Sequence, residues 1–528
     1  MFPDWQRLTQ GDVNFGANVM QAATQTRVNG TGRDGLVVLL PVLLALALGG
    51  YVQAQTYLNH DVAWVLHSSE RLLEGGTFGR DIIASNPPLI WWLNAPIAGL
   101  AKMIGADPIN VFRAVVLTMI AGVLALLKRE LDPMMSAPMR AGILVCLALM
   151  LTVGVHRDFG QREHLAVILC LPWLMLVVGQ NVRPLPALLA GVAAGIAICF
   201  KPHFLAVPAL IWAYVALRER SFRPVLRVDT AALLLTGVVY VAATWMFARP
   251  YLTEVMPMIS QVYWGFEHAM SDVVLSDPAP TLLTLVALGL AWRGGWQALP
   301  SLTALAAAGF LIAAIVQSKG YSYHFYPPLA FAMLSLLLTA LAPVARIMRA
   351  MASIALTAGV ALTTLYASLH MTNLSATGPY GQRTACLVNM VQTHVPEGAG
   401  FMAFSTHPYP GFPVANYADR TWVAATNSRL FLPSIVRLRA RADLSQDAAR
   451  VLALAEAAER DLAFKDLQKR PHLVFVDARE RRHAIDRLKM DFIAFYTEDA
   501  DFARAWEGYA EIPSCAPGIR AFTLSQEG

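Results

Sequence analysis

Apolar residues in this chain gather into long runs instead of alternating with polar ones. The runs cover residues 35–52, 111–127, 139–156, 165–179, 185–200, 202–217, 229–247, 281–292, 297–316, 325–342 and 350–370. Most are roughly 16–22 residues long, the length of helix that crosses a hydrocarbon core of about 30 Å. Short polar breaks separate them, and basic residues collect in alternate breaks: Arg27 and Arg33, then Lys128, Arg129 and Arg140, then Arg183. Arg218, Arg220, Arg223 and Arg227 follow, then Arg293, then Arg346 and Arg349. That bias places the N-terminus and these breaks in the cytoplasm. An odd number of spans then puts everything after about residue 371 on the outer side, together with loops at 53–110, 157–164 and 248–280.

The pattern predicts a polytopic α-helical membrane protein of about eleven transmembrane helices with three regions. Residues 1–34 form a cytoplasmic lead-in, with an interfacial helix as one option. Residues 35–370 form the membrane domain, and 371–528 form a soluble α/β domain on the outer, periplasmic side. About 34 polar residues precede the first run, too many for a signal-peptide n-region, so the run reads as a retained span. In the last region, "GFMAFST" and "HLVFVDA" are short apolar runs bounded by turn residues and read as buried strands. "SQDAARVLALAEAAERDLAF" has helical spacing, with Ser445 as its N-cap. This region shows no phosphate-cradling glycine loop, metal-ligand cysteine set or nucleophile elbow.

Composition agrees with the pattern. Of 528 residues, 56% are hydrophobic and 15% charged, and mean hydropathy is +0.48; soluble domains average about 45–50% and about 25%. The net charge of +5 is mostly the topology signal, so nucleic acid is not an expected partner. Cys146, Cys170 and Cys199 fall inside apolar runs, whereas Cys386 and Cys515 fall in the exported region, where disulfides persist. Those two are expected to pair.

Chemistry-bearing residues interrupt the pattern at four outer places. From Tyr57, "YLNHDVAWVLHSSERLLEGG" reads as an amphipathic helix lying in the membrane interface, with Asp61 at its start. Asp61 is either the N-cap or a reactive carboxylate; a cap on Asn59 would free it. "GRDIIASNPPLIWWLNAPI" sets Asn86 before a Pro-Pro pair, with Trp91 and Trp92 either as interfacial anchors or as surfaces that stack on a sugar or prenyl chain. "HRDFGQREHLA" crowds His156, Arg157, Asp158, Arg162, Glu163 and His164 into one short turn, either solvated or functional. "FKPHF" and "QSKGYSYHFYPP" place Lys201 with His203, and Lys319 with Tyr323 and His324, against the positive-inside trend. Such cations suit an anionic ligand such as a phosphate, or else snorkel to headgroups.

In the order "HDVAW", "LLEGG" and "NPPLIWWLNAPI", within this topology, the chain resembles the C-type (GT-C) integral-membrane glycosyltransferases over roughly residues 35–370. These include the lipid A aminoarabinose transferases and the protein O-mannosyltransferases. The resemblance implies a sugar moved from a polyprenyl-phosphate donor to a glycan, lipid or protein acceptor, with inversion, at the outer face of a bacterial inner membrane. Asp61 would be the catalytic base, because the paired acidic "DE" of the family is "DV" here. Asp158 or Glu163 would orient acceptor or base. Arg157, Arg162, Lys201, His203, Lys319, Tyr323 and His324 would hold donor and phosphate. Asn86 stands where aminoarabinose transferases usually carry Lys, so Lys201 or Lys319 is expected to take that contact. Some relatives need a divalent metal, but the first loop has no DxD pair, so metal-independent activity and no cofactor are expected. A transporter or flippase of a lipid-linked substrate is the alternative; its sites usually lie near the midplane instead of clustering at one face.

Overall fold

The computed structural model describes residues 32–132, 135–178, 183–486 and 488–525. Most of the lead-in expected at 1–34 lies outside the described residues. Each of the eleven apolar runs forms a helix. α1 (Gly32–Ala54) comes first; the external segment then folds as α2 (His60–Leu73) and α3 (Leu89–Ile104). There follow α4 (Pro108–Leu131), α5 (Ala137–Thr152), α6 (Arg162–Val178), α7 (Pro184–Cys199), α8 (Ala206–Glu219) and α9 (Val228–Phe247). Two short helices, α10 (Met256–Val262) and α11 (Met270–Ser276), lead to α12 (Pro278–Arg293), α13 (Ala298–Val316), α14 (Ser322–Leu341) and α15 (Arg346–Leu374).

Among the described residues, six of these helices are long and apolar enough to cross a membrane: α1, α4, α9, α13, α14 and α15. A seventh span results if α11 and α12, bent by 85° at their junction, count as one. α3, α5 and α7 are apolar but shorter. The chain is a membrane protein. α13 and α14 form its centre, with Phe310 and Phe331 stacked 5.6 Å apart between them. α1, α9 and α15 carry the exposed leucines and valines of an outer, lipid-facing wall. α7 meets α9 closely because Gly191 has no side chain; a Cβ there would lie 2.2 Å from the Asp229 carbonyl oxygen.

The C-terminal part is a mixed α/β unit. It runs α16 (Pro379–His394), β1 (Gly400–Phe404), α17 (Val414–Ala418), β2 (Thr421–Trp422), α18 (Leu432–Arg439), α19 (Gln446–Leu467) and β3 (Leu473–Asp477). α20 (Phe492–Thr497), α21 (Ala500–Trp506), β4 (Tyr509–Ile512) and β5 (Ile519–Leu524) complete it. The sheet order is β2-β1-β3-β5-β4: β1 is parallel to β2 and β3, and β5 is antiparallel to β3 and β4. β1 and β3 are buried at every position, which is why both read as continuous apolar runs. Ser445 caps α19 by accepting from the Ala448 amide at 3.2 Å. Arg429 is buried between Glu459 (2.6 Å) and Asp466 (3.0 Å). A disulfide joins Cys386, on α16, to Cys515, just before β5.

Three sequence readings are corrected. α2 is amphipathic, but it does not lie in an interface. Its apolar side packs on α3, and its polar side is covered by the C-terminal unit: Arg71 donates to the Ala424 carbonyl (2.8 Å) and Asn416 to the Ala63 carbonyl (3.1 Å). Trp91 is no interfacial anchor, because it is fully buried and its indole N–H donates to Ser68 Oγ at 2.6 Å. An internal partner for the polar edge of the ring removes the need for an interface. The "HRDFGQREHLA" turn is not solvated either. His156, Asp158, Arg162, Glu163 and His164 are all buried within it, and Arg157 is half-buried.

Candidate active site

The site grows from the turn after α5. His156–Asp158 form one 3-10 turn and α6 starts at Arg162, so Gly160 must reverse the chain between them with φ +80. A Cβ at Gly160 would sit 2.3 Å from the Phe112 ring, so glycine is required twice over. The reversal aims Gln161 at the start of α2. There Asn59 is the N-cap, accepting the Asp61 amide at 2.8 Å, so the Asp61 carboxylate does not cap its own helix.

A chain of amides links the two aspartates. Gln161 Nε2 donates to Asn59 Oδ1 (3.1 Å) and to Asp61 Oδ2 (3.2 Å), and Asn59 Nδ2 donates to Asp158 Oδ1 (3.1 Å). Asp158 also accepts from Ser322 Oγ at 3.3 Å, and Arg157 donates to that same hydroxyl oxygen at 2.8 Å. Burial pushes the Asp158 carboxyl up to about 7; Arg157 opposes the shift, while Glu163 and Asp61 reinforce it. Asp61 keeps a side chain about one-fifth exposed, with His60 Nε2 3.9 Å from Oδ1.

The cations divide into two kinds. Lys201, in the break between α7 and α8, is neutralised: its ammonium lies 2.5 Å from Glu163 Oε1, 2.6 Å from Gln317 Oε1 and 3.0 Å from His324 Nε2. Burial lowers Lys201 to about 8, opposed by Glu163. By contrast, no carboxylate lies within ion-pair distance of Arg162 or Lys319 among the described residues, and Arg162 Nη1 is a buried donor with no partner. Lys319 stacks over the Tyr263 ring, 3.3 Å from its centroid, and burial brings it down to about 7.

These groups surround one cavity of about 1270 Å³. Asp61, Asn86, Arg157, Asp158, Arg162, Lys201, His203, Lys319, Tyr323 and His324 all line it, so Asp61 and Lys319 share one face of the protein. Glu163 does not line it and stands behind Lys201. One wall is apolar and runs along α15, where Leu362, Leu365 and Leu369 line the cavity and are also exposed. Among the described residues no three His, Cys, Asp or Glu side chains are grouped to hold a metal ion.

Sequence reading missed Asn59's and Gln161's contacts to the carboxylates, and all of the lining that comes from the C-terminal unit, including His407 and His483. Asn59 and Gln161 flank residues singled out in sequence, but an uncharged amide in a polar loop carries no local signal. His407 and His483 come from a segment with no motif.

No protein-family model matches the chain, and no curated protein matches it in sequence. Solved structures do match in fold. ArnT from Cupriavidus metallidurans bound to undecaprenyl phosphate superposes with a TM-score of 0.55 at 12% identity, covering 92% of this chain and 97% of that one. The arabinofuranosyltransferase AftD from Mycobacteria gives 0.43 at 14% identity over 92% of this chain and 40% of that one. The Archaeoglobus fulgidus oligosaccharyltransferase gives 0.43 at 11% identity over 92% and 74%. The chain therefore shares the fold of ArnT over 92% of its length.

Proposed function

We propose that this chain, a membrane protein with the GT-C fold, is an inverting glycosyltransferase working at the outer face of a bacterial inner membrane. It moves a sugar from a polyprenyl-phosphate donor to a hydroxyl of a cell-envelope acceptor, with the C-terminal unit on the periplasmic side. The observation that carries this reading is the cavity's arrangement. A carboxylate held by one oxygen shares the cavity with two cations, Arg162 and Lys319, that make no ion pair among the described residues, beside an apolar wall along α15. The undecaprenyl phosphate bound to ArnT supports the donor class.

Each element has a task in such a transfer. The acceptor hydroxyl oxygen attacks C1 of the sugar while its proton passes to Asp61. The bond from C1 to the phosphate oxygen breaks, and its electron pair goes to the phosphate. Arg162, Lys319 and, beside them, Lys201 stabilise that charge where it develops. The prenyl chain lies along α15. Attack from the side opposite the phosphate inverts C1. Asp158, linked to Asp61 through Asn59 and Gln161, orients the base. Glu163 does not touch substrate; it sets the charge and place of Lys201. Positive charge from the side chains makes a divalent metal unnecessary in this reading.

The test is turnover of a panel of polyprenyl-phosphate sugars by wild type and Asp61→Asn in lipid nanodiscs. Loss of the base is expected to lower turnover by about 10²–10⁴-fold while undecaprenyl phosphate still binds. Equal turnover by both proteins overturns the mechanism, and bound lipid without any turnover favours a flippase.

A further inference from the structure

The C-terminal unit does more than cover the membrane helices. Its three parallel strands lie side by side as β2-β1-β3, and the loop at the carboxyl end of each one reaches the cavity. Thr406 and His407 follow β1, Asn427 and Ser428 follow β2, and His483 follows β3. In open α/β sheets the carboxyl ends of parallel strands are where ligands bind, because the loops there converge on one crevice. Here that crevice opens onto Asp61.

The loops are built, not slack. Tyr409 donates its amide to His407 Nδ1 at 3.0 Å, which leaves the ring proton on Nε2 as a donor. Thr406 donates to the His483 carbonyl at 2.6 Å, and Tyr321 Oη lies 3.2 Å from His483 Nε2. The His407 ring sits 4.4 Å from that of His60, next to the proposed base, and 5.3 Å from that of His483. Burial, reinforced by His60, His483, Arg479 and Arg157, holds His407 well below the usual imidazole range, so it is neutral at pH 7.

The cavity therefore has two unlike halves. Arg157, Arg162, Lys201 and Lys319 all come from the membrane helices and their connections. The share of the lining that the C-terminal unit supplies contains no Lys, Arg, Asp or Glu; it offers hydroxyls, an amide and imidazoles. Arg479 and Arg157 act on His407 only from a distance, and no side chain in this share of the lining can form an ion pair with an anionic acceptor, whose desolvation would go unrepaid. We propose that these three loops are the acceptor subsite, and that the acceptor is a neutral, hydroxyl-rich glycan. This rests on the glycosyltransferase reading and names the substrate class of its second half.

The test applies full-length protein in nanodiscs to an array holding neutral and phosphorylated glycans, with undecaprenyl phosphate binding measured on the same preparations. Wild type is expected to be retained on neutral glycans. His407→Ala and Asn427→Ala are each expected to lower that retention at least about tenfold, while the Kd for undecaprenyl phosphate stays within about twofold and reports an intact fold. Retention only on phosphorylated glycans, no retention, or retention indifferent to both variants overturns the inference. Failure of wild type to bind undecaprenyl phosphate is a separate result, and it strikes the transferase reading itself.

Discussion

Glu163→Gln separates a carboxylate that acts on substrate from one that acts on Lys201. Both partners are nearly inaccessible, with side chains 1% and 10% exposed, and they lie 2.5 Å apart. Removing one partner of a buried pair costs about 3–5 kcal/mol. At 1.36 kcal/mol per unit, that corresponds to roughly 2–4 units of lowering for the surviving lysine. Lys201 already stands at about 8, so in the variant it is neutral at pH 7. The glutamine keeps the volume and an acceptor oxygen, so the helices have no steric reason to move. A lipid phosphate then binds with full contact to Lys201 only if a proton is taken up. If the lysine falls to about 5, uptake at pH 7 costs about 2.7 kcal/mol, or roughly 100-fold in Kd. The assay is undecaprenyl phosphate binding in nanodiscs at pH 5, 6, 7 and 8. Wild type should weaken as pH rises above about 7, where Lys319 must take up a proton to meet the phosphate, and more steeply above about 8, as Lys201 itself loses its proton. Glu163→Gln should bind roughly 10–100-fold more weakly at pH 7, and recover up to about tenfold per unit as the pH falls toward 5. Lys201→Met should show a similar loss at pH 7, and adding Glu163→Gln to it should change little, because the two substitutions remove one interaction. Unchanged or tighter binding at pH 7, or a loss that is the same at every pH, refutes the reasoning.

Three further outcomes follow from the packing around the site. Burial, with Glu74 and Asp419 adding to it, raises Glu70 on α2 to about 7 from its ordinary 4.5, so its share of the contact with the C-terminal unit is complete below 4.5 and lost as pH rises through 7. Protection factors of the amides across 414–424, taken relative to the base-catalysed intrinsic rate at each pH, should therefore be lower at pH 8 than at pH 6, and Glu70→Gln should remove the difference. The disulfide closes a loop of 129 residues, so replacing Cys386 and Cys515 by Ser should cost about 2–4 kcal/mol and lower the melting temperature of the C-terminal unit, read by its tryptophan fluorescence. Gly160→Ala drives a methyl into the buried Phe112 ring at a left-handed position, and should cost about 1–3 kcal/mol in thermal stability. Because the displaced turn carries Gln161, turnover should fall with it, and a variant as stable and active as wild type would mean that the turn is not held as described.

The spans were legible because lipid imposes one rule on every segment: backbone groups must be satisfied internally, so a long apolar run has no other fold available. All eleven runs are helices for that reason, yet among the described residues only six are long and apolar enough to cross a membrane, or seven with the bent pair. Length marks a helix, whereas depth and tilt depend on neighbours. The strands β1 and β3 were legible for a related reason, since two-sided burial makes both faces apolar. α2 shows the opposite case. Its 3.6-residue periodicity separates an apolar from a polar side, but periodicity cannot say whether water, headgroups or another part of the chain covers the polar side. The cover is the C-terminal unit, more than 350 residues away for the Arg71–Ala424 contact, and nothing local announces it.

The same limit explains which site residues could be found. Charges that break an apolar pattern are costly, so Asp61, Asp158, Arg162, Lys201 and Lys319 stand out, and the structure gathers them into one cavity. What sequence cannot supply is their pairing. Lys201 and Lys319 look alike in sequence, each a lysine followed within five residues by a histidine. In the fold, one is neutralised by Glu163 from α6 and the other lies on Tyr263 with no carboxylate of the described residues within ion-pair distance, Glu267 acting on it only from further away. That difference assigns them different work. A lysine already paired behind the wall gives a fixed, pH-tunable contact, whereas Lys319, brought by burial to about 7, gains its full charge when an anion arrives. A phosphate entering this cavity should therefore take up a proton at pH 7, and the uptake should vanish in Lys319→Met. Calorimetry in two buffers of different ionisation enthalpy measures it directly, and an identical heat in both buffers for wild type would place the charge-regulating group elsewhere.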